Sequence, residues 1–410
     1  MDRVFFENVR CFSSRQVATL APLTILVGEN SSGKSTFLGL VRLAWDVISS
    51  YRTPDFNEEP FLLGAYDQLS FLGSDSEEPV VLGAEFFQET GEVFRVTAKF
   101  EARRGQPALS EILLDLPPYR VSALFEREDW ITDLIVEGPS VRIDSGALLH
   151  RGVRSLSMAL QLTVRDRETL NLLEAGLLDL QERLKERPYA FAPIRTRPLR
   201  TYDPIQGLES PEGSHIPTIL ASTLLSEPGE WTMLADALAE FGRSSGLFSR
   251  VEVRRLGSGE SDPFQIRVHI GGKAINLIDV GYGVSQIIPI VVDSLRGHRG
   301  GTFLLQQPEV HLHPRAQAEL GSFLGMLAKQ QDKRFVVETH SDHLLDRIRM
   351  DVRDRKNGLE PDDVSLLYFD RSSGEGRIHQ LELDARGNLM NVPVGYRSFF
   401  LNEERRFLRG

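Results

Sequence analysis

Gly28-Glu29-Asn30-Ser31-Ser32-Gly33-Lys34-Ser35 is the stretch that decides the fold. It fills the pattern G-x-x-x-x-G-K-[ST] completely, and the residue types follow from the chemistry. The glycines let the backbone fold tightly enough for its N–H groups to point inward at phosphate oxygens. Lys34 reaches the β- and γ-phosphates, and the Ser35 hydroxyl ligates Mg²⁺. Asn30, Ser31, Ser32 and Gly33 form the cradle, with Thr36 beside it in the first helical turn. The helix that begins at Lys34 turns its positive end toward the same anion. The flanks agree with this reading. Leu23–Val27 is a short apolar run that predicts a buried strand, and helical spacing runs from Lys34 to about Ser50. A Gly/Ser loop arising by chance would need neither flank. The stretch therefore predicts a nucleoside triphosphate site.

Outward from the loop, Val4–Phe12, Pro79–Phe87, Glu92–Glu101 and Glu111–Leu116 alternate as strands do. From about Pro118 to Arg187 the texture reads helical, with leucines from Leu156 to Leu184 at three- and four-residue steps. Tyr189–Ile194 reads as a return to a core strand. Thr218–Leu225 and Trp231–Phe241 read as helices around a loop at Pro228-Gly229. Beyond Arg250, short apolar runs at Val251–Leu256, Phe264–Ile270, Ala274–Val280, Thr302–Leu305, Arg334–Val337 and Val364–Phe369 alternate, from the third onward, with helices beginning at Ser285, Arg315 and Asp342. This rhythm predicts an α/β protein with a substantially parallel sheet. The expected organisation is an N-terminal part at 1–117, a mostly helical insertion at 118–249 (with 189–200 returning to the core), and a C-terminal part at 250–410.

Composition narrows the class. The 410 residues carry 47 Lys+Arg against 58 Asp+Glu, a net charge of −11, which argues against a protein that coats nucleic acid. The lone cysteine, Cys11, excludes a disulfide scaffold and a cysteine-based zinc cluster. The N-terminus lacks the apolar core of a secretory signal, and no apolar run approaches the ~20 residues of a membrane helix. The expectation is a soluble, cytoplasmic protein with no membrane partner.

Further motifs follow in order. Asp279-Val280-Gly281-Tyr282-Gly283-Val284-Ser285-Gln286 sets glycines and a serine at a helix start. The strand Thr302–Leu305 ends in Gln306-Gln307-Pro308-Glu309-Val310-His311-Leu312-His313-Pro314, and Phe335–Val337 runs into Glu338-Thr339-His340-Ser341-Asp342-His343. Together with Asn8–Phe12 and the phosphate loop, this order resembles the ABC/SMC-type ATPases of the OLD (overcoming-lysogenization-defect)/RecF-like group. The resemblance covers roughly residues 1–50 and 275–345. It implies a P-loop NTPase of ABC/SMC type with a mixed sheet, ATP and Mg²⁺ as ligands, and two copies closing around the nucleotide. It also implies that Gly283, Ser285 and Gln286 contact the nucleotide of a second subunit. His340 would be the switch histidine, Arg10 would approach the nucleotide, and Gln68 would stand at the glutamine loop near the metal.

One departure matters. Where the wider class ends this strand in two acids, the chain has Gln306 and Gln307. An amide carbonyl can accept a hydrogen bond from Mg²⁺-bound water, but it neither neutralises the ion nor acts as a base. Gln306 is then the water-mediated metal neighbour and Gln307 stands at the catalytic position. Glu309, the nearest remaining carboxylate, is the candidate for either lost task. ATP binding with slow turnover is the expectation.

Other readings compete. The twin amides also suit an ATP-gated scaffold that hydrolyses little. His311, His313, His340, Asp342 and His343 have metal-ligand spacings, so a metal-dependent hydrolase competes for them. Arg195, Arg197 and Arg200, and Arg250, Arg254 and Arg255, are clusters that could meet nucleic-acid phosphates or simply pair with acids. Arg347, Arg349, Arg353 and Arg355, interleaved with acids, read as an ordinary charged face. After the histidine region, two strands and a helix near Ser398–Phe407 leave too little chain for a Toprim nuclease domain. The expected effector, a nuclease or toxin, would come from a separate chain. The resemblance implies anti-phage defence, or else RecF-like DNA maintenance, as the setting.

Overall fold

The computed structural model describes residues 1–396 apart from 73–77, 127–129, 140, 146–152, 205–208, 260, 372–373 and 394. The helix expected near Ser398–Phe407 lies outside the described residues.

The phosphate-loop strand Leu23–Gly28 sits inside a seven-stranded sheet. In order, its strands are Tyr189–Phe191, Thr302–Gln306, Arg334–Glu338, Leu23–Gly28, Val364–Asp370, Arg377–Leu383 and Leu389–Met390. The first five run parallel and the last two antiparallel, so the sheet is mixed as expected. Parallel strands are covered on both faces, which is why these runs read as continuously apolar. The two-residue period divides their side chains. Leu26, Leu304, Val336, Leu367 and Phe369 join one core, and Leu23, Ile25, Leu305, Phe335 and Val337 join the other.

The first core holds the phosphate-loop helix Lys34–Ser50 against a second sheet, eight-stranded and antiparallel. In order, that sheet runs Gln16–Thr19, Arg3–Glu7, Val80–Phe87, Val93–Arg103, Gln106–Leu116, Tyr119–Phe125, Ile131–Gly138 and Val141–Asp144. The second core is closed by the helices Tyr282–Arg296, Pro314–Gln330 and Asp342–Arg353 and by a three-stranded sheet, Arg250–Arg255, Phe264–Ile270 and Lys273–Asn276.

Several expectations change. The last three strands of the antiparallel sheet occupy 119–144, where the sequence texture reads helical. Helices begin only at Leu156–Thr163 and Arg167–Arg183, capped by Ser155 and Asp166 accepting from the Met158 and Thr169 amides. Pro228-Gly229 opens the helix Pro228–Ser245 rather than forming a loop, because proline suits the first helical position. The first strand stops at Glu7, since Asn8 and Arg10 take positive φ of 58° and 48°.

Candidate functional site

The two glycines of the phosphate loop are fixed by close packing as well as by conformation. Gly28 has φ 145°, and a Cβ there would lie 2.4 Å from the Phe369 carbonyl oxygen. Gly33 has φ 101°, and its Cβ would lie 2.5 Å from the Phe12 ring. Ser31 also takes a positive φ, 59°, and the Ser32 hydroxyl donates to the Glu29 carbonyl at 2.8 Å, closing the loop on itself. Asn30 and Ser31 are exposed.

Lys34 is nearly buried, and its ammonium donates to the Gly28 and Glu29 carbonyls at 2.9 and 2.5 Å. Burial holds its pKa below the usual lysine value, with Glu338 and Glu29 opposing. Ser35 donates its hydroxyl to Glu338 Oε2 at 2.7 Å. The Arg10 guanidinium, bent inward by its positive φ, donates to Thr36 Oγ1 at 3.1 Å and to the Leu63 carbonyl at 3.0 Å. Arg371 donates to the Ser31 carbonyl at 3.3 Å.

These groups line a cleft of about 460 Å³. Among the described residues its charged lining is three cations, Arg10, Lys34 and Arg371, and one carboxylate, Glu338. In a chain of net charge −11, a cleft with this balance selects an anion. Loop amides at a helix start, a lysine without an acid partner, and a serine beside a carboxylate fit a polyphosphate with a divalent cation. Gln68, in the short helix Tyr66–Leu69, reaches the cleft, but its Oε1 already accepts from the Ala65 amide at 3.2 Å.

The strand-end turn departs from the sequence reading. Gln306 is buried with its Oε1 unpartnered. Gln307 adopts φ 43° and donates its amide to the Glu338 carbonyl at 2.8 Å, so the chain bends at the end of its strand. Past this bend Glu309 turns into the protein. It is 5 % exposed, Oε1 accepts the His340 backbone N–H at 2.8 Å, and Oε2 is buried without a partner. Burial raises its carboxyl pKa, against the hydrogen bond from the His340 backbone. Glu309 does not line the cleft. It holds the backbone that carries His340. His340 is exposed, and partial desolvation followed by the Lys34 charge lowers its pKa.

The glycine turn leads directly into a helix. Ser285 and Gln286 lie inside the first turns of the helix Tyr282–Arg296 and are 5 % and 1 % exposed. Ser285 Oγ donates back to the Tyr282 carbonyl at 2.9 Å. The Gln286 amide is clamped on the Arg195 backbone, accepting from its N–H at 2.9 Å and donating to its carbonyl at 3.2 Å. Gln286 is thereby held on the Arg195 backbone, while Ser285 lines a pocket with Arg197, Leu199 and Pro289. The exposed residues of this helix start are Gly281 and Tyr282. Gly283 packs tightly, since a Cβ there would lie 2.5 Å from the His311 carbonyl oxygen.

Arg195 is likewise no surface arginine: it is 2 % exposed and donates to the Pro193 and Pro308 carbonyls at 2.7 and 3.3 Å. Arg200 pairs with Asp279 at 2.6 Å, and Arg347, Arg349 and Arg353 pair with Glu319, Asp346 and Asp354. Among the described residues, no three His, Cys, Asp or Glu side chains gather as a metal site, so the histidines do not form the hydrolase centre their spacing allows. His313 instead caps the helix Pro314–Gln330, accepting from the Arg315 amide at 3.4 Å. Sequence reasoning missed Glu338 and Arg371. Two neutral amides on one strand were a signal to look for an acid on its neighbour.

Comparison with known proteins finds the following similarities. A family model described as an AAA ATPase domain matches residues 231–345. The OLD nuclease of Thermus scotoductus is 22 % identical over 359 residues, which is 83 % of this chain and 59 % of that protein. The chain thus spans less than two thirds of that relative's length. Solved structures similar to it include an Smc head bound to the C-terminal winged-helix domain of ScpA (11 % identity, TM-score 0.46, 93 % of this chain and 97 % of that one). A Pyrococcus furiosus Smc head with an extended coiled coil gives 12 % identity, TM-score 0.46 and 99 % of both chains. Among the described residues no helix is long and apolar enough to cross a membrane. The chain thus has an α/β fold, with a strand–phosphate loop–helix unit in a parallel core and an antiparallel sheet beside it, and its sequence is similar to an AAA ATPase domain and to an OLD nuclease.

Proposed function

We propose that this chain binds ATP with Mg²⁺ in the phosphate-loop cleft, hydrolyses it slowly, and closes with a second copy of itself to control a separate effector. The observation that carries the reading is the cleft's charge balance among the described residues, three cations and one carboxylate in an acidic protein. Lys34 and Arg10 hold phosphate oxygens, and Ser35 offers its hydroxyl to the metal. The ion itself supplies neutralisation of phosphate charge. Slow turnover is supported by the amides Gln306 and Gln307 and by Glu309 facing away from the cleft. The name of the Thermus scotoductus relative supports a nuclease as the effector, and an anti-phage setting in the cytoplasm is the reading we favour over DNA maintenance. The two main sheets would form the ATPase body, leaving the helices Leu156–Thr163, Arg167–Arg183, Ile216–Ser226 and Pro228–Ser245 to hold the partner.

A second reading, an ATP-gated scaffold, draws on one specific observation. Among the described residues, the one carboxylate lining the cleft is already bonded to Ser35, which leaves it less available to activate water. Phosphate release and light-scattering mass, each with and without ATP·Mg²⁺, test both. ATP-driven dimerisation with slow release that Lys34→Ala abolishes supports the ATPase, and dimerisation without release supports the scaffold. A monomer under both conditions refutes the assembly in either form.

A further inference from the structure

We propose that Glu338 carries the negative charge at the Mg²⁺ position, a task relocated by one strand from Gln306. The inference deepens the nucleotide reading and rests on it. Gln306 and Glu338 are register partners at the ends of adjacent parallel strands, and Glu338 in turn pairs with Leu26 of the phosphate-loop strand. The carboxylate therefore stands one strand spacing, about 4.8 Å, nearer the loop than the amide does.

Three observations say what it does there. Its Oε2 accepts the Ser35 hydroxyl at 2.7 Å, and Ser35 is the oxygen donor that the phosphate-loop pattern directs to the metal. It is 4 % exposed yet lines the cleft, the one acid to do so among the described residues. Among the described residues it has no cation within ion-pair distance, because Lys34 spends its ammonium on the Gly28 and Glu29 carbonyls. A buried carboxylate with no counter-ion is costly to keep. A divalent cation held between Glu338, Ser35 and phosphate oxygens removes that cost, and Mg²⁺ characteristically uses one or two carboxylates together with phosphates and water. The cleft thus retains a charge for the metal although the usual strand has lost both of its acids.

The test is a Mg²⁺ titration of fluorescent-ATP binding to the full chain, with a parallel measurement in EDTA. Glu338→Gln keeps the side-chain volume and an acceptor for Ser35. It is expected to raise the Mg²⁺ midpoint by about tenfold or more while leaving metal-free nucleotide binding unchanged or tighter. Adding Gln306→Glu to that variant returns a carboxylate to the neighbouring strand and recovers part of the shift. If the glutamine variant does not fold, Glu338→Asp serves, since it keeps the charge and shortens the reach, and its midpoint rises severalfold. A midpoint within twofold of the unmodified protein in the variant that folds overturns the inference while leaving ATP binding intact. Absence of nucleotide binding by the unmodified chain overturns the underlying reading as well, and the two failures are told apart by that control.

Discussion

Replacing Glu309 with glutamine should leave ATP turnover nearly unchanged, although Glu309 is the first carboxylate after the two amides. Its Oε1 accepts the His340 amide at 2.8 Å, its Oε2 is buried, and the cleft lies elsewhere. A glutamine carbonyl keeps the bond to His340. The exchange of a charge-assisted bond for a neutral one costs about 1 kcal/mol, offset by removing a buried charge. Glu309→Ala instead leaves the His340 N–H unpaired beside a cavity and should destabilise by about 2–4 kcal/mol. The pH dependence has a definite sign. Burial raises the Glu309 pKa, so its contribution to stability is complete below the unfolded value and is lost as pH rises through the folded one. The thermal midpoint of Glu309→Gln relative to the unmodified protein should therefore improve as pH rises above the ordinary glutamate range. Saturating-ATP phosphate release gives the decisive number. A positioning role predicts a rate within about threefold for the glutamine variant, whereas loss of a general base costs about 10²–10⁴-fold. A hundredfold fall with ATP binding intact would refute this reasoning.

Gly33→Ala places a methyl group 2.5 Å from the Phe12 ring at φ 101° and should cost more than about 2 kcal/mol, with loss of nucleotide binding, as thermal unfolding and fluorescent-ATP titration would report. Arg195→Ala strips the Pro193 and Pro308 carbonyls of a buried donor and removes a positive charge that Glu309 acts on. A loss of about 3–5 kcal/mol in denaturant unfolding is expected, against no measurable change for Arg200→Ala on the surface.

The phosphate loop was legible because its chemistry dictates residue types at fixed spacing, and its flanking strand and helix have the apolar periods of buried elements. The parallel core was legible for the same reason. Residues 119–144 were not. The pairing shifts register between Leu124 and Phe125, and the bulge puts Ile131 and Leu134 on one buried face three residues apart, the step a helix would give. Asp133 and Ser145 secure that irregularity through the Leu134 amide. The glycine turn was legible as a helix start. The helix begins at Tyr282, so Ser285 and Gln286 fall within it and are buried. Glu338 was hidden because a strand-end glutamate looks like any other until the strand order sets it beside Ser35. The inward turn of Glu309 depends on the positive φ of Gln307, which no local pattern announces.

Equilibrium binding of ATP to the unmodified chain and to Lys34→Ala, each with Mg²⁺, tests the central claim most directly. The account predicts saturable binding of one ATP per chain, weakened about a hundredfold or more when the Lys34 ammonium is removed from the loop. Equal affinity in the two proteins, or no binding by the unmodified chain, would contradict it.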